Sequence, residues 1–124
     1  MSKHWSASLV IIESPFRGEG ETPGAKVIAK RRNLEYARKA LHHSLSLGEA
    51  PFLSHLLYTQ VLDDDNSEER SWGINAGFAW AKVAHYVAIY TDLGISEGMS
   101  QAISHHKDKG RTVVYRKILP GKEA

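Results

Sequence analysis

Apolar positions along this chain fall into four short, dense runs, and the stretches between them space their apolar residues as helices do. The first run, 8–13 (Ser-Leu-Val-Ile-Ile-Glu), sets its apolar residues side by side instead of alternating them with polar ones, which predicts a strand covered on both faces. A segment rich in turn formers, 14–24, follows. Val27, Leu34, Ala37, Leu41 and Leu45 then share one face of a helix predicted over 25–47, and Gly48 suits its end. Residues 50–58 predict a short second strand running into an irregular segment. The polar loop 63–67 comes next, in which Asn66 or Ser67 caps a second helix.

That second helix, 67–84, carries Trp72, Ile74, Phe78, Trp80 and Val83 around more than one face. A helix apolar on two sides is covered twice, and Gly73, Ala76, Gly77 and Ala81 permit close approach. A homo-oligomer packed through the helix that bears Trp72 and Trp80 is therefore expected. A third strand at 86–90, a third helix at 96–109 ended by Gly110, a fourth strand at 112–118 and a tail at 120–124 complete the chain. The order β-α-β-α-β-α-β predicts an α/β fold: a three-layer, Rossmann-like or flavodoxin-like parallel sheet of about four strands with helices on both faces.

At 124 residues there is room for one domain, 1–124. No apolar run approaches the roughly 20 residues a membrane helix needs, so no membrane contact is expected. The opening Met1-Ser-Lys-His-Trp5 lacks the apolar core of a signal peptide. With no cysteine in the chain, disulfides and thiol chemistry are excluded, and a cytoplasmic location is expected. Sixteen basic against fourteen acidic residues leave a net charge of +2, which favours a small anion but gives no ground for nucleic-acid binding.

In an open parallel sheet, ligands bind beyond the carboxyl ends of the strands, at the switch in strand order. Three segments converge there: Ser14, Phe16 and Arg17 after the first strand; Ser54, His55 and Tyr58 after the second; Asp92, Gly94, Ser96, Glu97, Gly98, Met99 and Gln101 after the third. Together they offer a guanidinium for phosphate or carboxylate, aromatics for a base, hydroxyls, and acids for a sugar diol. The run from Asp92 breaks a strand and opens a helix, so the helix start also presents unpaired N–H groups to an anion. Several of these residues have a second job open to them. Arg17 can pair with Glu19 or Glu21, Ser96 can cap its helix, His55 can be structural, Asp92 can shape a turn, and Met99 can fill the core.

No metal and no cofactor is expected. His42-His43 and His105-His106 are adjacent pairs whose rings diverge on a helix, Asp63-Asp-Asp65 lacks the alternation of a calcium loop, and there is no GxxxxGK[ST], GxGxxG or GxSxG. The cluster Lys26, Lys30, Arg31, Arg32, Arg38 and Lys39 reads as the wet face of the first helix.

Four segments carry a family resemblance: Ile-Glu-Ser-Pro-Phe-Arg-Gly18, Ala50-Pro-Phe-Leu-Ser-His-Leu57, Leu62-Asp-Asp with Glu69-Arg70 and Gly73-Ile74, and Ile95-Ser-Glu-Gly-Met-Ser-Gln-Ala-Ile103. In that order they resemble the nucleoside 2-deoxyribosyltransferase-like group, especially its small phage and bacterial relatives. The resemblance implies a Rossmann-like sheet, an oligomer, and a site for a nucleoside- or nucleotide-derived ligand. It also implies that Asp92 holds a base. The family's nucleophilic glutamate is matched by Glu97, displaced by one residue, and the small relatives' Gly-Met-x-x-Glu-Ile reads Gly98-Met-Ser-Gln101-Ala-Ile here. An amide is neither a nucleophile nor a base, but it hydrogen-bonds sugars and bases well.

Three functions follow. The first is capture of an ADP-ribose-like ligand without turnover, which in a phage protein would sequester nucleotide immune signals in the host cytoplasm. The second is a deoxyribosyltransferase or N-glycosidase with Glu97 as nucleophile. The third is an oligomeric scaffold with a vestigial site.

Overall fold

A computed structural model describes residues 8–120; the expectations for Met1–Trp5 and for the end of the tail, 121–124, lie outside these residues. Strands β1 (Leu9–Glu13), β2 (Ala50–Phe52), β3 (Tyr86–Tyr90) and β4 (Val113–Arg116) form one all-parallel sheet in the order β2-β1-β3-β4. Helix α1 (Pro23–Ser46) covers one face, while α3 (Ser67–Ala81) and α4 (Glu97–Asp108) cover the other. A short α2 (Ser54–Leu57) and a 3₁₀ turn (Tyr58–Gln60) join β2 to α3. This is the expected α/β architecture, with helices on both faces. No helix among the described residues is long and apolar enough to cross a membrane.

The sheet alternates strictly, as strand geometry requires. Val10, Ile12, Ala88 and Tyr90 meet Tyr36, Ala37 and Ala40 of α1. Ile11, Val87 and Ile89 meet Ala81 of α3 with Met99 and Ile103 of α4. Because β2 and β3 flank β1 on opposite sides, the strand order switches beside β1, and a crevice opens beyond its carboxyl end.

Helix α1 departs from the expected face. Val27 and Leu45 are 56% and 49% exposed, and the sheet side is lined instead by Ala29, Asn33, Tyr36, Ala37, Ala40 and Ser44. The small residues let the long helix lie close to the sheet, and each polar one has a bond to make. Asn33 donates to the carbonyls of Phe16 (3.4 Å) and Arg17 (3.0 Å), Tyr36 donates to Asp92 (2.5 Å), and Ser44 donates to Glu49 (2.6 Å). The helix also begins earlier than expected, with Pro23 in its first turn and Thr22 as the cap accepting from Ala25 N–H.

On the same face, Glu49 is 4% exposed and both of its oxygens are occupied. Arg116 Nη1 and Nη2 donate to Oε1 and Oε2 at 2.9 and 2.7 Å, Ser44 Oγ donates to Oε1, and Tyr86 OH donates to Oε2. Arg116 Nη1 also donates to Tyr90 OH at 2.9 Å, so one guanidinium in an edge strand links β3 to the residue that precedes the opposite edge strand.

Helix α3 turns its small residues inward, stacks Phe78 on His105 of α4, and leaves both of its tryptophans exposed. Gly73 and Gly77 approach Leu62 and Ser54, and Ala81 is buried. Trp72, Ile74, Trp80 and Val83 remain 44–60% exposed.

Candidate functional site

The crevice beyond β1 is a cavity of about 810 Å³, in the range that holds a small organic ligand. Of the residues expected to face a ligand, Ser14, Phe16, Arg17, Ser54, His55, Tyr58, Ser96, Glu97, Gly98, Met99 and Gln101 all line it. The loop after β1 supplies one wall, and the hydrogen bonds from Asn33 to two of its carbonyls hold it in place. Gly18 is required there, since a Cβ would stand 2.1 Å from the carbonyl oxygen of Lys26.

Aromatic stacking supplies the apolar surface. Phe16 and His55 stack at 4.9 Å and 15°, and Phe78 and His105 stack at 3.7 Å and 9°. Burial holds the His55 imidazole below the ordinary histidine range. For His105 burial acts the same way, helped by the charge of Arg111. Both rings are thus biased to the neutral form and act as flat, weakly polar surfaces.

At the opposite wall, Ser96 caps α4 by accepting from Met99 N–H at 3.2 Å, which leaves the N–H groups of Glu97 and Gly98 without a partner in the helix. Glu97 lies exposed in this first turn, and among the described residues no donor pairs with its carboxylate. Ser14 Oγ is buried with no hydrogen-bond partner. A buried hydroxyl left unpaired costs about 1–3 kcal/mol.

Two expected residues stand elsewhere. Asp92 continues the even-numbered face of β3 and points towards α1, not into the cavity. Its Oδ1 accepts from Tyr36 OH (2.5 Å) and Ile118 N–H (2.8 Å), and Oδ2 accepts from Leu119 N–H (3.1 Å). Burial alone would raise its pKa, but these bonds from Tyr36, Ile118 and Leu119 outweigh it and lower it. The carboxylate is a staple between β3, α1 and the segment after β4, and it turns the chain out of the sheet two residues before the expected end of the fourth strand. Gly94 forms the turn after β3 with φ +88°, a conformation that favours glycine, and it does not line the cavity. Arg17 pairs neither with Glu19 nor with Glu21. It reaches Asp64 and Asp65 at 3.6 and 3.8 Å, and Arg70 shares Asp64 at 3.7 Å.

Reasoning from sequence missed Phe78 and His105, which stack at the wall, and also Glu13. Glu13 ends β1 on the same face as Ile11 and lines the cavity. His106, fully buried on α4, donates to Glu13 Oε2 at 2.8 Å, and Arg111 donates to His106 Nδ1 at 3.0 Å. The signal was an acid closing an otherwise apolar strand. The adjacent His105 and His106 do diverge, with 76° between their rings, so that one stacks at the cavity wall and the other enters the core. Among the described residues no group of three His, Cys, Asp or Glu side chains is placed to share a metal ion.

The cavity carries five carboxylates (Glu13, Glu19, Asp64, Glu69 and Glu97) against three cations (Arg17, Lys26 and Arg70). Such a surplus of acid repels a multiply charged anion more than a neutral or singly charged one.

One family model, described as "Domain of unknown function (DUF7768)", matches residues 8–116. No curated protein and no solved structure is similar enough to this chain to match it.

Proposed function

The chain belongs to the DUF7768 family, and we propose that it captures a nucleoside- or nucleotide-derived small molecule without turning it over. The observation that carries this reading is a cavity of about 810 Å³ at the strand switch, walled by two stacked aromatic–histidine pairs and an open helix start. Flat apolar rings suit a base, and unpaired N–H groups suit a single phosphate. The acidic surplus favours nucleoside-like ligands with at most one phosphate over diphosphates of the ADP-ribose kind. Capture is favoured over transfer because a nucleophile has to be held in place, and Glu97 stands exposed with no donor to orient it.

The test is thermal unfolding with adenosine, AMP, ADP-ribose and NAD, followed by denaturation and mass analysis of the small molecules. At a ligand concentration a hundredfold above Kd, the expected stabilisation is about 2.7 kcal/mol, with ligand recovered intact and AMP or adenosine ahead of ADP-ribose. No stabilisation by any of the four would overturn capture, and so would release of free base.

We also propose that a second copy covers α3, because Trp72, Trp80 and Val83 leave an exposed apolar patch on the side of the helix away from the cavity. Sedimentation should report a dimer or larger, and Trp72→Glu combined with Trp80→Glu should shift it to monomer. A wild-type protein that sediments as monomer at tens of micromolar would refute the interface.

A further inference from the structure

We propose that Glu13 reads the sugar of the captured ligand, its open carboxylate oxygen accepting hydrogen bonds from the vicinal hydroxyls of a ribose. The inference rests on the capture reading and adds to it the ligand class, a ribosyl compound with its diol intact, and the residue that selects it.

Glu13, Glu49 and Asp92 each lie at or near a strand end and are held by donors from other elements, and their pairing differs. Glu49 has partners on both oxygens: Ser44 and Arg116 on one, Tyr86 and Arg116 on the other. Asp92 likewise has Tyr36 and Ile118 on one oxygen and Leu119 on the other. Both lie on the α1 side, away from the cavity, and both are structural. Glu13 is held at Oε2 alone. Among the described residues no donor pairs with Oε1, and its side chain, 14% exposed, opens on the cavity. A carboxylate accepts at both oxygens, so the free one is available to a guest.

The donors behind Glu13 fix its aim. A guanidinium has only hydrogens to give, so the Arg111 contact makes His106 Nδ1 the acceptor. In the neutral imidazole the one ring proton is then on Nε2, directed at Glu13 Oε2 at 2.8 Å. His106 is fully buried and cannot swing away. Arg111, at the start of β4, thus holds a core histidine that holds a cavity carboxylate, and the rotamer of Glu13 is set before a ligand arrives. Preorganisation of this kind is what a polar contact needs to discriminate between ligands.

Calorimetry with AMP and 2′,3′-dideoxy-AMP tests this on the wild-type protein. Hydrogen bonds to a charged acceptor imply that AMP binds roughly ten- to a hundredfold tighter than the dideoxy compound. Glu13→Gln is expected to erase most of that difference, lowering the AMP affinity towards that of the dideoxy compound. His106→Phe, which fills the same space but has no proton to give, should reduce the preference through Glu13. The dideoxy affinity of each variant reports whether the cavity is intact. Equal binding of the two ligands by the wild-type protein overturns the role of Glu13 and leaves capture standing. Binding of neither overturns the role of Glu13, and overturns capture as well if adenosine, ADP-ribose and NAD also fail to stabilise the protein.

Discussion

Glu49→Gln is expected to remove about 3–5 kcal/mol of folding stability, a fall of roughly 10–20 °C in Tm for a domain of this size. The amide keeps the shape of the side chain but cannot compensate Arg116, whose side chain is 17% exposed and whose guanidinium is committed to Glu49 at 2.7 and 2.9 Å. Two of the other donors, Ser44 and Tyr86, would compete for a single carbonyl oxygen. The loss measures the cost of stranding a buried cation, not the net worth of the pair. Glu49→Leu together with Arg116→Met should therefore recover much of it. Urea unfolding of the two singles and the double settles the matter, and a Glu49→Gln variant within 1 kcal/mol of wild type would show that the network does not hold the sheet.

The same network sets an acid limit. Burial on its own would raise the Glu49 carboxyl, but the bonds from Arg116, Ser44 and Tyr86 outweigh it and bring it from 4.5 down to about 2. A group whose pKa is depressed on folding contributes stability that is fully present above its unfolded value and is lost as pH falls through the folded one. Wild-type stability should thus decline between about pH 4.5 and pH 2, by an amount on the order of 3 kcal/mol from this group. In Glu49→Gln that part of the decline should be missing.

The element order could be read in the sequence because a strand buried on both faces leaves an unbroken apolar run, as 86–90 does, and little else in a short chain imitates it. The face of α1 could not be read in the same way. Apolar periodicity scores Val27 and Leu45 as inward, whereas the real contact stripe includes Asn33, Tyr36 and Ser44. Their partners are Phe16, Arg17, Asp92 and Glu49, and burial of those polar groups becomes favourable only once the fold supplies the other half of each bond. Part of the cavity wall was legible, since most of the residues expected past the strand ends do face the crevice, although Asp92 and Gly94 do not. Alternation would have separated Glu13 from Asp92. Glu13 shares parity with Ile11 and faces α4, and Asp92 shares parity with Tyr90 and faces α1.

Asp92→Ala follows from that separation and has the second-largest expected effect on folding. The carboxylate is the acceptor for Tyr36 OH, Ile118 N–H and Leu119 N–H, and Tyr36 is 3% exposed. Deleting it strands one buried hydroxyl hydrogen and two backbone donors, although Tyr36 OH would still accept from the backbone N–H of residue 92. With each stranded donor costing about 1–3 kcal/mol when water cannot reach it, and with Ile118 and Leu119 only half-buried, the expected loss is about 2–4 kcal/mol. Asp92→Asn should fall between, because the amide oxygen serves one side only. Ligand affinity provides the contrast. A residue that held the base would lose affinity with little change in Tm. A staple on the far side of the sheet should lower Tm and leave the AMP dissociation constant within about twofold, measured well below the variant's unfolding temperature. Should Asp92→Ala keep its stability and lose AMP, the carboxylate would be facing the ligand after all, and the split between a structural acid at 92 and a recognition acid at 13 would fall.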